Sequence, residues 1–220
     1  MSYTLEVPER VFPLTRHLSW RVTRVLARYP ISPNQITATA IVPGLTCAWC
    51  LASGRYWLGV VGALFLVVYY TLDCVDGEIA RLKGRVSTFG DQLDTFADWL
   101  VHTAFFAALG TGGARADGQE LWLWLGWAAA AGCTIDYFSR IVTGMRSKRA
   151  GAAPGPGKTA GKTAGEGETR KARFIYAFRV LVRTDFCFIV LVLAVIDATW
   201  VLLPAGAVGA QVYWMLRFFR

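Results

Sequence analysis

Charge is scarce in this chain of 220 residues: 17% are Asp, Glu, Lys or Arg, against 55% hydrophobic. A soluble domain of this size could not hide so much apolar surface, so a membrane protein is the expected class. A mean hydropathy of +0.40 and nine Trp agree with that reading. Cysteine is sparse as well, with five residues: Cys47, Cys50, Cys74, Cys133 and Cys187. An odd count argues against a disulfide framework. Cys47 and Cys50 have redox or zinc spacing, but no second Cys or His pair accompanies them. All five read as small packing residues in apolar helices. The first thirty residues lack an apolar run with a cleavage site, since Arg10, Arg16, Arg21, Arg24 and Arg28 interrupt them. No signal peptide is therefore expected, and the first span is expected to act as the insertion signal. A phosphate-binding loop is missing too. Gly-Lys-Thr occurs at 157–159 and 161–163, but no strand precedes it, and residues 150–169 read as a Gly/Ala/Pro/Lys linker.

What is present is apolar sequence in long runs. Six stretches, roughly 34–54, 57–80, 88–110, 120–144, 174–196 and 199–217, can each cross ~30 Å of hydrocarbon. Basic residues crowd the N-terminal arm, the 81–87 connection (Arg81, Lys83, Arg85), the 146–173 connection and the tail. The opposite connections hold Arg55 and Arg115. This asymmetry predicts both termini and both basic loops in the cytoplasm. The expected fold is an all-α membrane protein of six transmembrane helices, multi-pass in the inner (plasma) membrane. Before it, Val11, Leu14, Leu18, Val22, Val25 and Leu26 fall at helical spacing with Arg on the other faces. That predicts an interfacial amphipathic helix within 1–30. Residues 31–220 then form the transmembrane domain, with 146–172 as a flexible cytoplasmic loop. Membrane lipids are the expected surroundings, and no nucleic-acid partner is expected.

Carboxylates inside membrane helices are costly and read as functional. Asp73 and Asp76 stand three apart at the end of the second span; Asp94 and Asp98 stand four apart at the start of the third. Each pair shares a helix face. The short connection predicts that these helices are antiparallel neighbours with facing acidic surfaces. At 1.5 Å per residue all four carboxylates fall ~9–15 Å below the interface. Like charges that close cannot all stay ionised unpaired. Oxygen-only ligands of this kind suit Mg²⁺ or Mn²⁺. Gly77 and Ala80 follow Asp73 on its face, Gly90 precedes Asp94 by a turn, and Arg81 can pair with phosphate.

The pattern Asp73-x2-Asp76-Gly77-x2-Ala80-Arg81-x8-Gly90-x3-Asp94-x3-Asp98 resembles, at every fixed position, the motif of the CDP-alcohol phosphotransferase family. The "ISPNQIT" run at 31–37, the six spans and the amphipathic leader extend the resemblance over most of the chain. It implies transfer of a phosphoalcohol group, as in phospholipid biosynthesis, from a CDP-linked donor to a hydroxyl acceptor with release of CMP. It further implies that Asp73, Asp76 and Asp94 bind two Mg²⁺ or Mn²⁺ ions. Asp98 would also face the metals and act as general base. Gly77, Ala80, Arg81 and Gly90 would line the CDP site, and the protein would be a homodimer. The sequence "DCVDGEIARLKG" looks closest to members with inositol-type acceptors. Trp99, however, stands where glycerol-phosphate and inositol-phosphate lipid synthases usually carry Lys or Arg.

Arg140, Arg179 and Arg183 lie inside the fourth and fifth spans and need partners. One reading is a cationic pocket for a phosphorylated polyol acceptor, such as inositol phosphate or glycerol 3-phosphate. The other is internal pairing with Asp136 and Asp185. "VRTDF" at 182–186 resembles an Arg-x-Asp element of the family. His102, a turn after Asp98, is expected to face a neighbouring helix. Two other functions use intramembrane aspartates. An intramembrane prenyltransferase would need a second Asp-rich motif, which is missing. A cation channel or transporter would leave Ala80-Arg81 and the glycine spacing without a role.

Overall fold

The structure, a computed structural model, describes residues 13–149 and 185–218. These residues contain helices and no strands: α1 Leu14–Leu26, α2 Pro33–Ala52, α3 Tyr56–Leu82, α4 Thr88–Asp117, α5 Glu120–Arg149, α6 Phe186–Val195 and α7 Leu202–Phe218. Arg179, Arg183 and the Gly-Lys-Thr repeats lie outside the described residues. Local chemistry sets the helix ends. Ser32 opens α2 with a capping box: its hydroxyl accepts from Gln35 N at 3.3 Å, and Gln35 Oε1 accepts from Ser32 N at 2.9 Å. Pro33 follows at the first helical position, where no N–H is needed. Ser87 opens α4 by accepting from Gly90 N at 3.0 Å. The expected span 88–110 runs on to Asp117 because nothing stops it before Gly118, whose φ of 69° suits a left-handed cap.

Two of these helices, α2 and α3, are long and apolar enough to cross a membrane. Both α4 and α5 are longer, at 30 residues each, and carry intrahelical aspartates. The outer surface is apolar: Val42, Trp49, Trp57, Leu64, Trp124, Phe138, Val192 and Val208 are all exposed. Lipid rather than water suits such a face.

Packing places α2 at the centre, against both α3 and α4; α5 covers α4 and α7, and α1 and α6 lie on α3. Cys47, Leu51, Ala63, Leu66, Tyr69, Val101, Phe105, Val190 and Leu203 form the core. Small residues let backbones close up. A Cβ on Gly112 would stand 2.0 Å from Leu51 O, and one on Gly110 would stand 2.8 Å from Gly126 Cα. Asp73 and Asp76 of α3 meet Asp94 of α4, as the expected facing of these two helices requires. With α2 packed on both, they have no extended backbone contact of their own and meet through side chains. Large Tyr, His and Asp side chains occupy the space between them, which small residues fill elsewhere.

The connections sort to two ends. At one end Tyr56 Oη donates to Val195 O at 2.8 Å, Arg115 Nη1 to Ala52 O at 2.6 Å, and the Trp122 and Trp200 rings lie 6.1 Å apart. At the other, Lys83 Nζ donates to Tyr29 O at 2.7 Å and Ile31 O at 3.0 Å. The acidic motif lies toward this second end.

Two buried carboxylates fasten α1 to the bundle. Asp185, fully buried, accepts from Leu14 N at 2.8 Å, Thr15 N at 3.0 Å and Thr15 Oγ1 at 2.8 Å. It caps the start of a helix that has no cap of its own. Glu78 accepts from Ser19 Oγ at 2.8 Å and Thr23 Oγ1 at 2.6 Å. Thr15, Ser19 and Thr23 therefore form a buried hydroxyl stripe facing α3, while Leu18 and Val25 point outward.

Candidate active site

Asp73 and Asp76 sit in the last three turns of α3, and Asp94 in the second turn of α4. One carboxylate oxygen from each lies within 4.8 Å of the others. Asp76 is buried, while Asp73 and Asp94 are partly exposed. Three convergent oxygen donors at this separation can surround a small hard cation with little adjustment. Among the described residues no nitrogen or sulfur ligand joins the group, so the donor set fits Mg²⁺ or Mn²⁺ better than zinc.

The second turn of α2 supplies a residue that sequence reasoning missed. Thr37 donates its hydroxyl to Asp76 Oδ2. The pair is buried, which strengthens a hydrogen bond to a charged acceptor. Asn34, one turn earlier, reaches the other side: a Cβ on Gly90 would lie 3.0 Å from Asn34 Oδ1. The "ISPNQIT" run thus borders the acidic cluster, and its resemblance to the family was the one available signal.

Gly77 and Arg81 come together as their spacing predicts. The side-chain atom nearest a Cβ on Gly77 would be Arg81 Nη1, at 3.4 Å. Arg81 is exposed, and Ala80 is partly buried one residue before it. Asp98 is not one of the three carboxylates that converge within 4.8 Å. It is one turn further along α4 than Asp94, and its Oδ1 accepts from Tyr69 Oη at 3.0 Å. His102 behaves as expected of a helix-facing residue. Its Nδ1 lies 2.7 Å from Asp98 O and its Nε2 2.8 Å from Tyr70 Oη. A carbonyl can only accept, so in the neutral ring Nδ1 carries the hydrogen and Tyr70 donates to Nε2.

Of the arginines considered for the acceptor, Arg140 pairs with Asp136, Nε to Oδ2 at 2.7 Å. That is the internal partner weighed from the sequence. Asp185, the other partner weighed, is committed to α1. Trp99 stacks on Tyr137 with ring centroids 4.9 Å apart and donates to Thr134 Oγ1 at 3.2 Å. This aromatic pair lines the α4–α5 side one turn before Arg140.

The sequence profile described as CDP-alcohol phosphatidyltransferase matches residues 30–212, a range that holds all four aspartates. The chain belongs to the CDP-alcohol phosphatidyltransferase family. Among curated relatives of this family member, the archaetidylinositol phosphate synthase of Pyrococcus horikoshii is 31% identical over 106 residues, 47% of this chain and 54% of that protein. The bifunctional IPC transferase and DIPP synthase of Aquifex aeolicus is 31% identical over 99 residues, 44% of this chain and 22% of that protein. The matches thus span about half or less of these relatives' length. Among solved structures, the phosphatidylinositol phosphate synthase of Mycobacterium tuberculosis, with CDP-DAG bound, superposes with a TM-score of 0.54. It is 20% identical, with 90% of this chain and 91% of that one covered, and so shares the fold. Membership leaves the prenyltransferase and cation-pathway alternatives without support.

Proposed function

We propose that this family member transfers a phosphoalcohol group, in the first instance phosphatidyl, from a CDP-linked donor to a hydroxyl acceptor and releases CMP. The observation that carries the reading is the convergence of Asp73, Asp76 and Asp94 from two helices within 4.8 Å. In this reading the three carboxylates, with Asp98 alongside, hold two Mg²⁺ or Mn²⁺ ions. Such ions neutralise the donor pyrophosphate and the phosphoryl group in transit. Gly77, Ala80, Arg81 and Gly90 bind the CDP moiety; Arg81 offers a planar donor to phosphate, and Gly77 leaves room for it. Asp98 accepts the proton of the attacking hydroxyl. The acceptor oxygen bonds to the donor's β-phosphorus as the bond to the bridging oxygen breaks, and CMP departs.

The acceptor we propose is a small phosphorylated polyol. The relatives named as archaetidylinositol phosphate and phosphatidylinositol phosphate synthases support inositol phosphate, with glycerol 3-phosphate as the alternative. Arg140, Arg179 and Arg183 form its cationic pocket. The protein works as a multi-pass homodimer with six spans, residues 31–220 as the catalytic domain, 1–30 as the interfacial leader and the site on the cytoplasmic side.

A CMP-release screen tests the activity. Purified protein with Mg²⁺ or Mn²⁺ and CDP-diacylglycerol is offered glycerol 3-phosphate, inositol, inositol phosphate and serine in turn, with CDP-inositol as a second donor. Silence with every pair refutes the transfer. Asp98→Asn is expected to abolish CMP release while CDP-lipid binding persists; normal turnover rejects the base assignment. Arg179→Ala and Arg183→Ala are expected to raise the acceptor KM far more than the donor KM, and equal effects on both substrates reject the pocket.

A further inference from the structure

We infer that Tyr69 is a positioning residue for the transfer, orienting the Asp98 carboxylate through its phenol. The inference rests on the reading of Asp98 as the base. A carboxylate turns easily about its last torsion, whose energy wells are broad. A base must nevertheless sit within about 0.5 Å and 10–20° of its productive geometry. Something has to fix that torsion, and catalytic bases are commonly oriented by a third group.

Tyr69 has the geometry to do it. It lies four residues before Asp73, on the same face of α3, and its hydroxyl donates to Asp98 Oδ1 at 3.0 Å across the space between α3 and α4. The residue is 1% exposed. Its ring has little freedom: a Cβ on Gly44 of α2 would come 3.2 Å from Tyr69 Cδ2 and 2.5 Å from Val101 Cγ2. On another side it meets the rings of Tyr70, edge-on at 5.5 Å, and His102, at 6.4 Å. A ring wedged between three helices aims its one O–H in one direction, and that direction is the carboxylate.

The neighbouring residue supplies an internal control. Tyr70 is also buried and also reaches α4, but its hydroxyl pairs with His102 Nε2 and not with the carboxylate. If these phenols merely tied α3 to α4, losing either would have the same consequence.

The test compares Tyr69→Phe, Tyr70→Phe and Asp98→Asn in the CMP-release assay, with the melting transition and CDP-lipid binding measured for each. Tyr69→Phe is expected to lower kcat about 10- to 100-fold, no more than a general base's own contribution of about 100- to 10,000-fold, and to leave both KM values within about twofold. Tyr70→Phe is expected to keep kcat within about threefold of the parent. Unchanged kcat in Tyr69→Phe, or equal losses in the two Phe variants, overturns the inference. If Asp98→Asn turns over normally, the base assignment itself falls, and the inference with it. If Asp98→Asn is dead while Tyr69→Phe is normal, the inference alone falls. Should Tyr69→Phe fail to fold, Val101→Ala loosens the ring without removing either hydrogen-bonding group. A kcat reduced severalfold at constant KM then supports the inference, and an unchanged kcat overturns it.

Discussion

Thr37 shows what a single hydroxyl contributes at the candidate metal centre. It holds one oxygen of Asp76 from α2, so the carboxylate is fixed from outside its own helix. Removing a hydrogen bond that orients a metal ligand typically costs about 10- to 100-fold in metal affinity. Thr37→Val, nearly the same shape, is therefore expected to raise the Mg²⁺ concentration for half-maximal CMP release by at least about tenfold, with kcat at saturating Mg²⁺ largely kept. A Mg²⁺ titration of the variant checks this, and an unchanged midpoint refutes it. The four aspartates were legible because their spacing repeats within two short segments. Thr37 and Tyr69 were not, because their partners lie 39 and 29 residues away and neither residue type is unusual in an apolar helix.

At the scale of elements, α1 is more than a leader resting on lipid. Of the apolar stripe read from the sequence, Leu18 and Val25 are exposed, while Val22 and Leu26 pack against Ile36, Val75 and Ile79. The inward stripe of Thr15, Ser19 and Thr23 went unread, since small hydroxyl residues on a helix carry no charge pattern. Their partners Glu78 and Asp185 lie 55 to 170 residues away. Because Glu78 stands two residues after Asp76, α1 braces the same helix that carries the first two aspartates. Asp185→Ala strips three donors at the buried start of α1. Loss of such a cap costs about 1–2 kcal/mol, which is about a tenfold change in local opening. Hydrogen exchange is expected to show the amides of Leu14–Leu26 opening faster by about that factor, with α3 and α4 protected as before. Equal protection across α1 would remove Asp185 as its anchor. The facing of α3 and α4 was readable, while the place of α2 was not. The five-residue turn 83–87 says that two helices are close, but only packing shows that Gly44 and Gly112 bring α2 against α4 as well.

Across the whole molecule, chemistry is sorted by end. Trp49, Tyr56, Trp57, Trp122, Trp124 and Trp200 cluster around the connections that follow α2, α4 and α6. That end holds Arg55 and Arg115 near its turns. The opposite end holds the acidic cluster, Arg81, Lys83, Arg85 and the arginines of α1. Aromatic residues settle at either membrane interface, so they mark a boundary without choosing a side. Basic residues do choose, and they favour the cytoplasm. The acidic cluster would then open toward the compartment where water-soluble phosphorylated acceptors are available, while a lipid donor reaches the gap between α3 and α4 from the bilayer. Orientation is thus part of the functional proposal and can be tested apart from activity. Val86 in the α3–α4 turn is 65% exposed, and Gln119 in the α4–α5 turn is exposed too. A membrane-impermeant maleimide, read against the parent protein's background, is expected to label Gln119→Cys in spheroplasts and Val86→Cys in inverted vesicles. Labelling of Val86→Cys from outside would turn the site to the other face. A charged acceptor and the CMP product would then both have to lie beyond the membrane, and the proposed supply of substrates would fail even if the transfer chemistry held.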